Sequence, residues 1–261
     1  MDKTLLVNLD KHCYRLSKFL GMQGYNTVSD WLEIASGILT VEYNTLRFND
    51  DILYCGSIYD YEKNNNILHK DFITELTRFS FIWSSLESII NIIKPKQHEI
   101  YKGKINSICY FLKEEYDCLE PTVIYYEKYL NKLIEKIEEN KNFLDAYKRI
   151  KTQENIEKSG QGLFIIYKIR NMFAHGSLTI PRAQDYTFET VTDVEIINIS
   201  SEIVLLSIQM ILIAFLKNNN FIFEEWEKNI FEDLGNDAIT FLKNAHLLKN
   251  NNIKESSLKI I

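Results

Sequence analysis

The chain has 261 residues, 46% of them hydrophobic and 25% charged, and a net charge of −6. That length holds one large or two small domains around a sizeable core, and the balance is ordinary for a soluble globular protein. The acidic total argues against a protein that coats nucleic acid non-specifically, since such affinity comes from neutralising phosphates. It leaves room for an enzyme with a small positive cleft.

Only three prolines and nine glycines interrupt the chain, which favours long helices. Cys13, Cys55, Cys109 and Cys118 show no C-x2-C pairing, so neither a zinc site nor a disulfide framework is expected. Reduced thiols in a cytosolic protein are the simplest account. The start, Met1-Asp2-Lys3-Thr4, lacks the apolar core of a signal peptide. The richest apolar run, 203–216, is interrupted by Ser207 and Gln209 and falls short of the roughly 20 residues that span a bilayer. A cytoplasmic protein without a membrane partner is expected.

Residues 1 to about 36 read as one or two helices carrying Trp31, Leu32 and Ile34. Around Asn49-Asp50-Asp51, aromatic and β-branched residues (Val41, Tyr43, Phe48, then Ile52, Tyr54, Ile58) suggest a hairpin. Lys63-Asn64-Asn65-Asn66 reads as a linker. The expected organisation is an N-terminal extension over 1–66, helical or α+β, and a helical domain over 67–261.

The segment 69–93 is the first strong helix, with Phe72, Leu76, Phe79, Trp83, Leu86, Ile90 and Ile93 on one face. Glu87 lies about 40° from Trp83 on the helical wheel, so a carboxylate intrudes at the edge of the apolar face and needs a partner or water. Two outcomes stay open, an ion pair with Arg170 or another cation near the site, or simple solvation. Pro95 ends this helix, and 99–116 supplies the next. Pro121 suits the first turn of a helix running to about 150; its many Lys and Glu residues fit a solvated amphipathic face better than a coiled-coil arm, because no heptad is sustained.

The run 162–174 reads as a helix that closes on His175 and Gly176. Glycine suits the left-handed position beyond a helix end, and a histidine in the last turn is favoured by exposed carbonyls whatever else it does. With Arg170 set at zero on the wheel, Leu163, Ile166, Tyr167, Phe173 and Ala174 fall within about 60°. Arg170 therefore leaves the helix from its apolar arc, where a lone cation demands a partner or an anion. Lys168, Asn171 and His175 share a different, polar edge. Arg170 and His175 stand about 140° apart, so one straight helix does not aim both at one atom, whereas two copies packed about a two-fold axis would.

Beyond the motif, 177–195 reads as an ordered loop with Pro181 and Arg182, long enough to act as a lid or substrate loop; Arg182 is either a phosphate contact or a solvated loop cation. Residues 194–216 form the last core helix, 221–231 and 237–248 shorter ones, and the tail after Asn250 frays.

Arg170-Asn171-Met172-Phe173-Ala174-His175 resembles the R-x4-6-H signature of HEPN domains, with the polar residue that many members carry directly after the arginine. Phe81-Ile82-Trp83-Ser84-Ser85-Leu86-Glu87 resembles an earlier helix of the ApeA-like branch of that family, and the resemblance covers roughly residues 66–217. It implies a mainly α helical bundle, a homodimer, and a metal-independent endoribonuclease with a composite active site between protomers. Carried onto this chain, it assigns catalysis to Arg170, Asn171 and His175. Lys168 and Arg182 stand as candidate substrate-binding residues, with Glu87 in support. No cofactor or metal is implied. The substrate would be RNA, tRNA among the candidates, and the setting a toxin or antiphage-defence effector under a regulatory or antitoxin partner. Other members have lost catalysis and bind RNA or proteins, which is the alternative.

Overall fold

The structure, a computed structural model, describes residues 6–48, 56–118, 120–140, 143, 154–182, 188–217, 222–224, 227, 231 and 234–248. Within them the protein is mainly α-helical: α1 (Leu9–Met22), α2 (Asn26–Gly37), α3 (Gly56–Ile93), α4 (Lys104–Glu115), α5 (Tyr126–Glu139), α6 (Lys158–Ala174), α7 (Phe188–Leu216) and α8 (Ala238–Asn244), with a 3-10 turn at Thr45–Phe48.

The apolar helix α7 is the axle of the bundle. It packs against α1, α3, α4, α5, α6 and α8. Its stretch from Thr192 to Leu216 is long and apolar enough to cross a membrane by length and composition, but 89% of its most apolar window is buried inside the protein. The serines along it are spent internally, Ser200, Ser201 and Ser207 each donating to the carbonyl four residues back, so a polar side chain in the core leaves no unmet donor.

α3 is 38 residues long and absorbs the expected linker: 63–66 lies within its helical run, so the boundary foreseen near residue 66 falls inside a continuous helix. Asparagine is a poor but tolerated helix residue, and Asn65 is 5% exposed. The helices before α3 belong to the common core. Arg78 of α3 is 7% exposed; it pairs with Glu75 at 2.5 Å and Asp10 of α1 at 3.2 Å and donates to the Ile38 carbonyl. Asn198 of α7 then donates to Glu75 at 3.2 Å.

Several expected elements change. Residues 38–44 are irregular and 56–61 helical, so no hairpin forms among the described residues; its centre, 49–55, lies outside them. Pro121 is not in a first turn: α5 begins at Tyr126, and the Pro121 carbonyl accepts from the Tyr116 hydroxyl at 2.7 Å. α5 stops at Glu139, and most of 141–153 lies outside the described residues. The loop expected over 177–195 is shorter, because α7 starts at Phe188. Ile222 forms an isolated antiparallel bridge with Asp237 where a helix over 221–231 was expected. The tail after Asn250 is outside the described residues.

Candidate functional site

α6 is held at its N-terminal half by close approach. A Cβ on Gly162 would stand 2.5 Å from Ile203 of α7 and 2.8 Å from the Tyr126 hydroxyl, so only glycine fits. That hydroxyl donates to the Ser159 carbonyl at 2.7 Å and accepts from the Gly162 amide at 3.1 Å. Leu163, Ile166 and Ile169 are fully buried. From this anchored half, α6 carries its C-terminal turns outward: Arg170, Asn171, Met172 and Phe173 are half-buried, and Ala174, His175 and Gly176 are exposed.

The helix ends as its sequence requires. Gly176 takes φ +64°, the Gly176 amide donates to the Phe173 carbonyl at 3.0 Å, and the Ser177 amide donates to Met172 at 2.9 Å. These two bonds are the Schellman pattern, in which a left-handed glycine closes off the last carbonyls. His175 is thereby fixed as the terminal residue of the helix, with φ −102° and ψ 7°. Its backbone is tied to Asn171 at 3.0 Å, and its side chain has no partner among the described residues.

Arg170 leaves α6 on the side facing α3. Its Nη2 lies 3.9 Å from Glu87 Oε1, and both side chains are more than a third exposed, 38% and 40%. The same carboxylate oxygen accepts from the Trp83 indole at 2.7 Å. Both outcomes left open for Glu87 are thus realised together, because it stands at the rim, half-solvated, leaning toward the guanidinium. Phe79 of α3 meets Phe173 of α6 edge-on with ring centres 5.9 Å apart, which sets the spacing between the two helices. An open groove of about 300 Å³ runs between them, lined by Leu76, Phe79, Ser80, Trp83, Ser84, Glu87, Arg170, Phe173 and Ala174.

Of the candidate residues, the structure brings together Arg170 and Glu87. Lys168, Asn171 and His175 do not line this groove, in keeping with the wheel. The Lys168 ammonium sits 5.1 Å over the Phe164 ring and 5.7 Å over the Tyr167 ring, an attraction between cation and ring quadrupole that leaves the charge at the surface. Arg182 is not brought to the site. Its neighbour Pro181 is held by a 2.7 Å hydrogen bond from His69 Nε2 to the Pro181 carbonyl, and His69 Nδ1 stands 3.3 Å from the Tyr43 hydroxyl. That point lies about 27 Å along α3 from the level of Glu87, at the helical rise per residue. Only 177–182 of the foreseen lid are described as loop, and this latch pins them to α3.

Sequence reading missed Ser80 and Ser84. They recur with Glu87 at i, i+4 and i+7, so the three share one stripe of α3 beside the apolar face. It also missed the latch of His69, which no local pattern signals.

A larger groove, about 480 Å³, lies near the opposite end of α6, lined by Lys113, Asp117, Glu120, Glu127, Glu157 and Lys158 among others. Its cations are already matched: Lys113 faces Glu157 at 3.8 Å and Lys158 faces Glu127 at 3.6 Å. Asp117 accepts from Ser159 at 2.6 Å, and burial raises its pKa above the usual carboxylate value. Volume alone would choose this groove. Chemistry favours the smaller one, where a half-exposed cation has a single weakly placed acid. Comparison with known protein families, with characterised proteins and with solved structures finds no match in any of the three.

Proposed function

We propose that the protein is a HEPN-type endoribonuclease that cleaves RNA by transesterification, with Arg170 and His175 as its working residues. The observation that carries the proposal is the exposed end of α6, where Arg170 opens into a groove and His175 is held bare at the helix terminus. In the reaction, the 2′-hydroxyl attacks its neighbouring phosphorus, the bond to the 5′-oxygen breaks, and a 2′,3′-cyclic phosphate and a 5′-hydroxyl result. One group must take the 2′ proton, another must supply a proton to the departing 5′-oxygen, and a cation must meet the charge of the crowded phosphorane. Histidine is the side chain type suited to both proton transfers near neutral pH. Arginine offers a rigid fork of donors to phosphate oxygens.

Arg170 and His175 diverge by about 140° around α6, so a second copy of the chain is part of the reading. Packed about a two-fold axis on the exposed ends of α6, each protomer would present its His175 toward its partner's groove, and the two histidines would divide the acid and base roles. Asn171, one turn before His175, would hold the imidazole or the phosphate. The role in defence or as a toxin, and the regulator it requires, rest on the resemblance of the motif alone.

A second reading has its own support. Within one chain Arg170 is in the groove and His175 is not, which suits an RNA-binding or interaction module that no longer cleaves. Incubation of total cellular RNA with the purified protein in excess EDTA, beside His175→Ala and Arg170→Ala, decides between them. An enzyme gives discrete fragments ending in cyclic phosphate that both substitutions abolish. A binder gives none, and its RNA affinity survives His175→Ala but not Arg170→Ala.

A further inference from the structure

One wall of the groove beside Arg170 presents hydrogen-bond acceptors. Ser80 Oγ donates to the Leu76 carbonyl at 2.7 Å and Ser84 Oγ donates to the Ser80 carbonyl at 2.9 Å. Each hydroxyl has one proton, so both present only acceptor lone pairs to the groove. Glu87 continues the row. Its Oε1 is taken up by Trp83 and its Oε2 has no partner among the described residues. One side of the groove is therefore a stripe of acceptors ending in a carboxylate, faced by a single guanidinium and floored by Phe79, Trp83 and Phe173.

Such a surface selects its ligand. An anion drawn to Arg170 would meet Glu87 a few ångströms away, which offsets part of the attraction, so charge alone does not fill the groove. A neutral apolar ligand would leave the acceptors unanswered. What fits is a flat ring laid on the aromatic floor, with hydrogen-bond donors along the edge that faces Ser80, Ser84 and Glu87. A nucleobase has those parts, and a groove near 300 Å³ is at the lower end of small-ligand sites, too small for a helix or strand.

We infer that this groove is a base-recognition subsite, holding the nucleotide beside the cleaved phosphate and preferring guanine to uracil. The inference rests on the ribonuclease reading for the word "cleaved" and on the groove alone for the preference. Guanine presents N1–H and N2–H side by side, two parallel donors that match a carboxylate. Adenine and cytosine offer an amino group next to an acceptor. Uracil flanks its one N–H with two carbonyls, which would face the lone pairs of Ser80, Ser84 and Glu87. To receive those carbonyls a serine would have to surrender its bond to the preceding turn.

The test uses the full chain carrying His175→Ala, so that binding is read without cleavage, and four fluorescein-labelled ribotetramers: UUGU, UUAU, UUCU and UUUU. UUGU is expected to bind about tenfold more tightly than UUUU, a discount from the far larger discrimination of enclosed polar sites because this groove is open. Glu87→Gln, which offers one acceptor and one donor and so matches uracil, is expected to bring the two within about twofold. Ser84→Ala, at a half-buried position of the groove wall, is expected to narrow the gap by a smaller factor, and excess inorganic phosphate should not displace UUGU. Equal affinity for all four, no measurable binding, or an order untouched by Glu87→Gln overturns the subsite. The two readings fail separately. Cleavage by the wild type without base preference leaves a ribonuclease and removes the subsite, whereas selective binding without any cleavage keeps the subsite and removes the ribonuclease.

Discussion

His246 is 2% exposed at the junction of α1, α7 and α8, whereas His175 stands in solvent at the end of α6. Around His246 the polar groups are fitted to one another. Gln209 of α7 accepts from His12 Nε2 at 2.9 Å, donates to the Leu242 carbonyl, and stands 3.1 Å from His246 Nδ1. Arg15 donates to the Ala245 and Leu247 carbonyls at 3.0 and 2.8 Å. At the α6 end the opposite holds: Arg170 has one acid at 3.9 Å and His175 has no side-chain partner among the described residues. A buried polar cluster of this kind fixes a fold, because removing a partner leaves a buried group unmet. A sparsely paired cluster at the surface costs little to keep, since water answers its polar groups, and it is ready for a ligand. The distinction separates a clasp from a site.

Breaking the clasp should give the largest effect on stability. Gln209→Leu keeps much of the volume but strips the bonds that His12, His246 and Leu242 make with it. Buried groups left unpaired cost about 1–3 kcal/mol each. A loss of roughly 3 kcal/mol is expected, which for a protein of this size lowers Tm by about 6–12 °C. Urea and thermal unfolding measure it, and RNA binding at low temperature should persist. A loss below about 1 kcal/mol would mean that this cluster does not hold the fold.

Acid should find the clasp before it finds the site. Burial first, then His12 and Arg15 nearby, lower the His246 pKa from 6.5 to about 3, with a backbone contact at Ile124 opposing. The unfolded chain thus takes up a proton near pH 6.5 that the folded chain refuses until about pH 3. Stability from this group is complete above pH 6.5 and is lost progressively between those two values, by at most about 1.4 kcal/mol per pH unit. Asp10 and Asp117 work the other way, since burial raises their pKa and their folded forms hold protons more readily. Comparison of wild type with His246→Asn isolates the histidine: the variant, less stable at neutral pH, should show a flatter decline from pH 6.5 downward. Parallel curves would exclude His246 as the cause.

How far the sequence discloses each region follows from the range of its contacts. The end of α6 is local, with a helix, a left-handed glycine and a wheel that separates Arg170 from His175; all three are legible within ten or so residues, and the structure agrees with each. Glu87 was legible as a carboxylate at the edge of an apolar stripe, but its partner lay on another helix, so only the need for one could be read. Gln209 appeared merely as an interruption in an apolar run. Its partners His12 and His246 are 197 and 37 residues away, and no spacing rule reaches that far. For the same reason 1–66 looked like an extension. Its asparagine run resembles a linker by composition, yet α3 is stabilised across it by packing, which outweighs propensity. His69 holding Pro181 belongs to this class too, a single long-range bond without a local signature.

The smallest effect on stability belongs to Arg170 and Glu87, and it sharpens the comparison most. Both are over a third exposed and their charged atoms are 3.9 Å apart, a separation at which solvent screens most of the attraction. Pairs of this kind contribute about 0.2–1 kcal/mol. A double-mutant cycle with Arg170→Ala and Glu87→Ala should therefore give a coupling free energy of unfolding below about 0.5 kcal/mol, near the limit of additivity. Glu87 also accepts from Trp83, so its single substitution should cost somewhat more than that of Arg170. Measured on RNA affinity the same residues should stand out, because Arg170→Ala removes the only cation lining the groove among the described residues. A coupling above about 1.5 kcal/mol in unfolding would place this pair with His12, Gln209 and His246 as a structural clasp. Arg170 would then be spent on holding α6 to α3, and a phosphate could claim it only by unmaking the fold's own contact.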